Sequence, residues 1–92
     1  MNDFELKTQQ FCEHQQFIKG YQPTTIKLYW LVLRMYREYA RITRVEQTTT
    51  ESVRGFFLDG RARRGWTAST YIRYYSNLLV FFRWCRQHGY LD

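Results

Sequence analysis

The stretch TTIKLYWLVLRMYREYARITR, residues 24–44, decides how the rest of the chain must fold. At about 100° per residue around a helix, Ile26, Tyr29, Leu33, Tyr36 and Ala40 fall in one arc, and Leu28, Leu31, Val32, Met35 and Tyr39 fill the next. A helix apolar over so much of its girth needs several neighbours. The narrow strip left over holds Lys27, Arg34, Arg37, Arg41 and Arg44 within roughly a quarter of the circumference, with Trp30 among them. That row of cations is the helix's outward face, and the functional reading starts from it.

Outward from this helix the chain supplies the neighbours. Upstream, Asp3 to Lys19 carries Phe4, Phe11 and Ile18 at heptad spacing with Phe17 beside them, and it stops at Gly20, a natural C-terminal cap. This first helix can pack on the core or on a neighbouring protomer, and the core is the preferred reading. Gly20 to Pro23 forms a connector, and a threonine just after the proline caps the central helix. Past Ala40 the β-branched Ile42, Thr43, Val45 and Thr48 to Thr50 favour extended chain, so the helix frays there. Thr50 caps a short third helix, Ser52 to about Gly60, with Val53, Phe56 and Phe57 on one side and Glu51 at its positive end. GRARRG, residues 60–65, reads as a glycine-bracketed loop, either a solvated turn or a phosphate clamp. Thr67 or Ser69 caps the last long helix, which runs to about His88 and ends at Gly89.

On that last helix Tyr71, Tyr74, Tyr75, Leu78, Phe81, Phe82 and Cys85 share about a third of the surface. Ser69, Arg73, Ser76, Asn77, Arg83 and Gln87 lie on the far side, where Val80 and Trp84 are exposed interruptions. No strand pair, internal repeat or low-complexity tract is present. The fold class is therefore all-α, a compact four-helix bundle in a single domain, 1–92.

Composition agrees with a folded bundle. Of 92 residues, 45% are hydrophobic and 20% aromatic, which excludes a disordered chain, and the length suffices for a modest core without metal or disulfide. Fourteen Lys and Arg against eight Asp and Glu give a net charge of +6. Eleven of the fourteen are arginine, whose guanidinium grips phosphate through two parallel hydrogen bonds, so composition fits a polyanionic partner, with a bland basic surface as the alternative. The N-terminus is acidic and polar, unlike a signal peptide. The longest near-apolar run, Leu28 to Leu33, is too short to span a bilayer. Two cysteines make no disulfide framework, and a reduced, cytoplasmic chain is the expectation.

Catalytic chemistry finds little support. Cys12-x-His14 and Cys85-x-x-His88 are potential zinc ligands inside predicted helices, but residues two apart there diverge by about 200°, which separates Cys12 from His14. They read as buried thiols and surface histidines, with no metal and no cofactor expected. No Gly-rich phosphate loop, nucleophile elbow or zinc-protease motif occurs, and the acidic residues are dispersed. What remains is two long helices with polar faces of the kind that contact nucleic acid, since Arg and Lys bind phosphate while Arg, Asn, Gln and Ser also read base edges.

Four blocks carry a family likeness. Thr24-Thr25-Ile26-x-x-Tyr29-x-x-x-Leu33 is followed by Thr49-Thr50-Glu51-x-Val53-Arg54-x-Phe56. Then come Gly65-Trp66-Thr67-x-Ser69-Thr70-x-x-x-Tyr74-x-Ser76-x-Leu78-x-x-Phe81-Phe82-Arg83-Trp84 and Gly89-Tyr90-Leu91. In order and spacing they resemble the N-terminal core-binding, SAM-like domain of tyrosine recombinases and phage integrases, over nearly the whole chain after Gly20. Ala68 departs from the pattern, standing where a proline is common. The resemblance implies a four-helix SAM-like bundle that, with a C-terminal catalytic domain, clamps double-stranded DNA at a recombination half-site. It also implies that the full-length protein assembles as a dimer or tetramer on DNA, with no small-molecule substrate. The second and fourth helices face DNA in that family, which nominates Lys27, Trp30, Arg34, Arg37 and Arg41 on one and Ser69, Thr70, Arg73, Asn77 and Arg83 around the other. The family's catalytic residues belong to the other domain, and no H-x-x-R occurs here, so this chain is expected to bind DNA without cutting it.

Two other readings compete. A basic helical protein-interaction module would use exposed Trp30, Val80 and Trp84 against another subunit. A helix-turn-helix repressor needs a tighter turn than the connectors before the third and fourth helices provide.

Overall fold

Pro23 opens the central helix, its fixed φ suited to a first helical turn, and the other elements are arranged on the helix that follows. The computed structural model describes residues 1–92 and contains four α-helices: α1, Asp3–Glu13; α2, Pro23–Ala40; α3, Thr50–Ala62; and α4, Ala68–Gln87. A π turn, His14–Ile18, widens the end of α1, and a 3₁₀ turn, Val45–Gln47, precedes α3. No strand is present.

Local chemistry accounts for each boundary. Asn2 and Glu5 cap α1 reciprocally, with Glu5 N–H donating to Asn2 Oδ1 at 2.8 Å and Asn2 N–H to Glu5 Oε1 at 3.2 Å. Gln22, not a threonine, precedes α2, and it makes no side-chain cap; Thr24 and Thr25 lie inside the helix. The helix stops where Arg41 takes the left-handed conformation, φ 55°, and its N–H donates to the Arg37 carbonyl at 2.9 Å. The β-branched stretch beyond is not extended throughout, because Ile42 and Val45 turn inward to fill the core.

Thr49 rather than Thr50 caps α3, exchanging hydrogen bonds with Ser52 at 3.0 and 3.1 Å. That helix runs on through Gly60, so the glycine-bracketed loop expected there is in fact only the short piece from Arg63 to Gly65. Gly60 carries no side chain to hold off Trp66, whose indole lies against the helix while the Trp66 backbone N–H donates to the Gly60 carbonyl at 3.0 Å. Thr67 caps α4 by accepting from Thr70 N–H at 3.2 Å.

The core is an aromatic lattice centred on α2, which packs against each of the other three helices. Phe11 meets Tyr29 at 5.0 Å and Phe81 at 5.3 Å between ring centroids, while Tyr36 meets Phe56 at 5.6 Å and Phe82 at 5.7 Å. Phe4 and Phe11 are buried, so α1 packs on its own core. Phe17 and Ile18, placed on the same apolar face by the heptad reading, instead project outward at 73% exposure each. The π turn displaces them, because its wider winding puts Gln15 inward to donate to the Tyr29 hydroxyl at 3.4 Å.

Along α4 the buried side swings from one neighbour to another. Near its start Tyr71 and Tyr75 pack on Phe57 of α3; near its end Phe81 and Trp84 pack on Phe11 of α1. Trp84 is consequently 7% exposed and Val80 half-buried, which corrects their assignment to an exposed face. No helix is long and apolar enough to cross a membrane.

Candidate nucleic-acid interface

The strip on α2 survives folding as a surface. Lys27, Trp30, Arg34 and Arg41 are exposed and Arg37 is half-buried, because its side leans toward α1. Trp30, Arg34 and Arg37 line a shallow concavity with Glu5 and Thr8 of α1. Trp30 keeps 38% of its surface open, a planar apolar group among cations. Arg34 Nε lies 3.7 Å from Glu38, but both side chains are more than half exposed, so the pair holds the guanidinium only weakly against a phosphate competitor. Lys27, Arg37 and Arg41 have no carboxylate within ion-pair distance. Arg44 sits past the end of α2 and pairs with Glu46.

The residues nominated on α4 divide. Ser69 and Arg73 are exposed in its first two turns. Thr70 is half-buried, with its hydroxyl 3.1 Å from that of Thr67, so it serves the cap. Asn77 is half-buried, and its Nδ2 is shielded from solvent without a hydrogen-bond partner. Arg83 stands about 80° from Arg73 and about 120° from Asn77 around the helix. It faces a groove between α3 and α4 that also holds Arg54, Arg61 and Arg86.

By sequence Arg61 belongs to the GRARRG run, read as a solvated turn or a phosphate clamp, and Arg61 and Arg86 taken singly read as solvated charges; the structure gathers them with Arg54 in one groove. Their signal was present on α3, where Arg54, Leu58 and Arg61 recur at i, i+4 and i+7 and so share a face. The third helix had been read only for its apolar side.

Elsewhere the titratable groups are structural. Burial pushes the thiols of Cys12 and Cys85 up to about 12, so both stay protonated near neutrality and neither is a nucleophile. Burial also raises the Tyr29 phenol, against the pull of Gln15. The exposed His88 ring lies 4.6 Å from Trp84, tilted 43° to it. For Asp3, burial acts upward but is outweighed by the Val45 N–H, which donates to Oδ2 at 3.0 Å, by Lys7 at 3.0 Å and by Arg44, so its pKa falls below 3.8. This carboxylate ties α1 to the turn before α3.

The sequence matches the family described as phage integrase, N-terminal SAM-like domain, over residues 8–90. Neither a curated protein nor a solved structure matches the chain.

Proposed function

The chain belongs to the phage integrase N-terminal SAM-like domain family, and from that premise we propose that it is the duplex-gripping part of a tyrosine site-specific recombinase or integrase. It holds one side of a recombination half-site through α2, assisted by the start of α4. The observation that carries the reading is the set of three cations, Lys27, Arg34 and Arg37, on one side of α2 with an open indole between them, extended by the exposed Arg41 that closes the helix. Guanidinium groups at helical spacing follow a phosphate backbone, fixing register and orientation, while Trp30 supplies apolar contact to sugar or base edges. Ser69 and Arg73 join from the N-terminal turns of α4, where the helix dipole favours an anion, with Thr70 and Asn77 as supporting positions. Arg83 is left out of this interface, because it faces the α3–α4 groove. Cutting and rejoining of strands belongs, in this reading, to a separate catalytic domain. The part played here is affinity and placement.

The test is fluorescence anisotropy on a labelled duplex with the chain and its Arg34→Glu, Arg41→Glu double variant. Both side chains are exposed, so the variant keeps the fold. Affinity drops at least tenfold, and the slope of log affinity against log salt becomes shallower by about 2, as expected when two phosphate contacts are lost. Unchanged binding would remove α2 from the interface.

A further inference from the structure

Away from the α2 strip, a groove of about 780 Å³ lies between α3 and α4. Its floor includes Leu58, Tyr75 and Leu79, which remain 60%, 40% and 38% exposed. Large apolar side chains left open in this way along two adjacent helices are an unfilled packing surface. Around the floor stand Arg54 and Arg83, neither within ion-pair distance of a side-chain carboxylate, and Arg86, whose Nε donates to the Asp92 carbonyl oxygen at 3.2 Å. Arg61 is there too, with Nη1 donating to the Trp66 carbonyl at 2.6 Å. Of the sixteen lining residues four are arginine and one, Asp92, is acidic.

We infer that this groove is a docking site for an acidic amphipathic helix of a partner protein, separate from the duplex-binding strip. Apart from Thr48, Thr49, Leu91 and Asp92 at its margins the lining belongs to α3 and α4, whose mid-helix backbone groups are already paired, so an occupant lying along them must satisfy its own hydrogen bonds and is helical. Its inner stripe is apolar, to cover Leu58, Tyr75 and Leu79, and its flanks are carboxylate-rich, to meet the guanidinium groups of both walls. A nucleic-acid strand fits less well, because following the arginines would lay phosphates over an apolar floor. A second copy of the chain fits less well on charge, since this surface opposes its own net charge of +6.

The experiment uses two labelled probe peptides of about four helical turns. Both carry leucines at i, i+3, i+4 and i+7; one has glutamates on the flanks and the other has lysines. The chain binds the glutamate peptide at least tenfold more tightly than the lysine peptide. Arg54→Glu with Arg83→Glu reverses that order, and Leu79→Asp abolishes binding of either. All three positions are exposed, so circular dichroism of the variants matches that of the parent. Binding of neither peptide, or of both equally, overturns the inference. So does a loss of duplex affinity in the Arg54→Glu, Arg83→Glu variant equal to that of the α2 variant, which would make the groove a DNA surface. Self-association abolished by Leu79→Asp in sedimentation would overturn it as well, by making the occupant a second copy. The duplex titration and the peptide titration fail independently, so the two assignments are separable.

Discussion

Arg41 is where stability and binding pull in opposite directions. It closes α2 in the left-handed conformation, φ 55°, which glycine adopts freely and a residue with a Cβ adopts at a penalty of about 1 kcal/mol. Arg41→Gly is therefore expected to stabilise the chain by about 0.5–1 kcal/mol in urea unfolding, yet to weaken duplex binding by removing a cation from the end of the strip. A purely structural arginine would show the first effect without the second. Asp3 sets a pH dependence. Its folded pKa lies below 3.8 through the Val45, Lys7 and Arg44 contacts, so its contribution is full above the unfolded value and is lost as pH falls through the folded one. Thermal scans from neutrality downward should show the melting temperature declining below pH about 4. Asp3→Asn should begin lower at neutrality and decline less steeply. At this scale the sequence was informative about chemistry and silent about conformation: nothing in residues 37–44 marked Arg41 as the one left-handed position outside the glycines.

Among the elements, the helices and their order could be read from apolar spacing, because each one's buried stripe recurs at a helical period. What could not be read depended on which neighbour each helix meets. A single projection of α4 averages over its length, but its first half is covered by α3 and its second by α1, so the buried arc swings far enough to take Trp84 inside. The widened turn after Glu13 has the same kind of cause, since it answers the need to seat Gln15 beside Tyr29. Gly60 illustrates a local signal overruled by packing. As a helix breaker it suggested a loop, whereas α3 continues through it because the Trp66 ring occupies the space a Cβ would take. Gly60→Ala, which on propensity alone should strengthen the helix, is instead expected to destabilise the chain by about 1–3 kcal/mol by driving the indole off its seat. A gain in urea midpoint would show that Trp66 rearranges without penalty.

Taken whole, the molecule separates two basic surfaces that composition alone merges. The α2 strip was legible because helical spacing alone, without tertiary information, puts Lys27, Trp30, Arg34 and Arg37 on one side. The second surface was not, since it exists only where α3 and α4 come together, and Arg83 counts toward it by virtue of that contact. The net charge of +6 supplies attraction to any polyanion, and position within the fold decides which cations touch it. The most direct measurement is an amide chemical-shift titration of the ¹⁵N-labelled chain with a random-sequence duplex at low salt. The account predicts perturbations gathered on Lys27 to Arg41 and the first turns of α4, fading together as salt is raised. Perturbations centred on Leu58, Tyr75 and Arg83, or spread evenly over all fourteen basic residues, would contradict it.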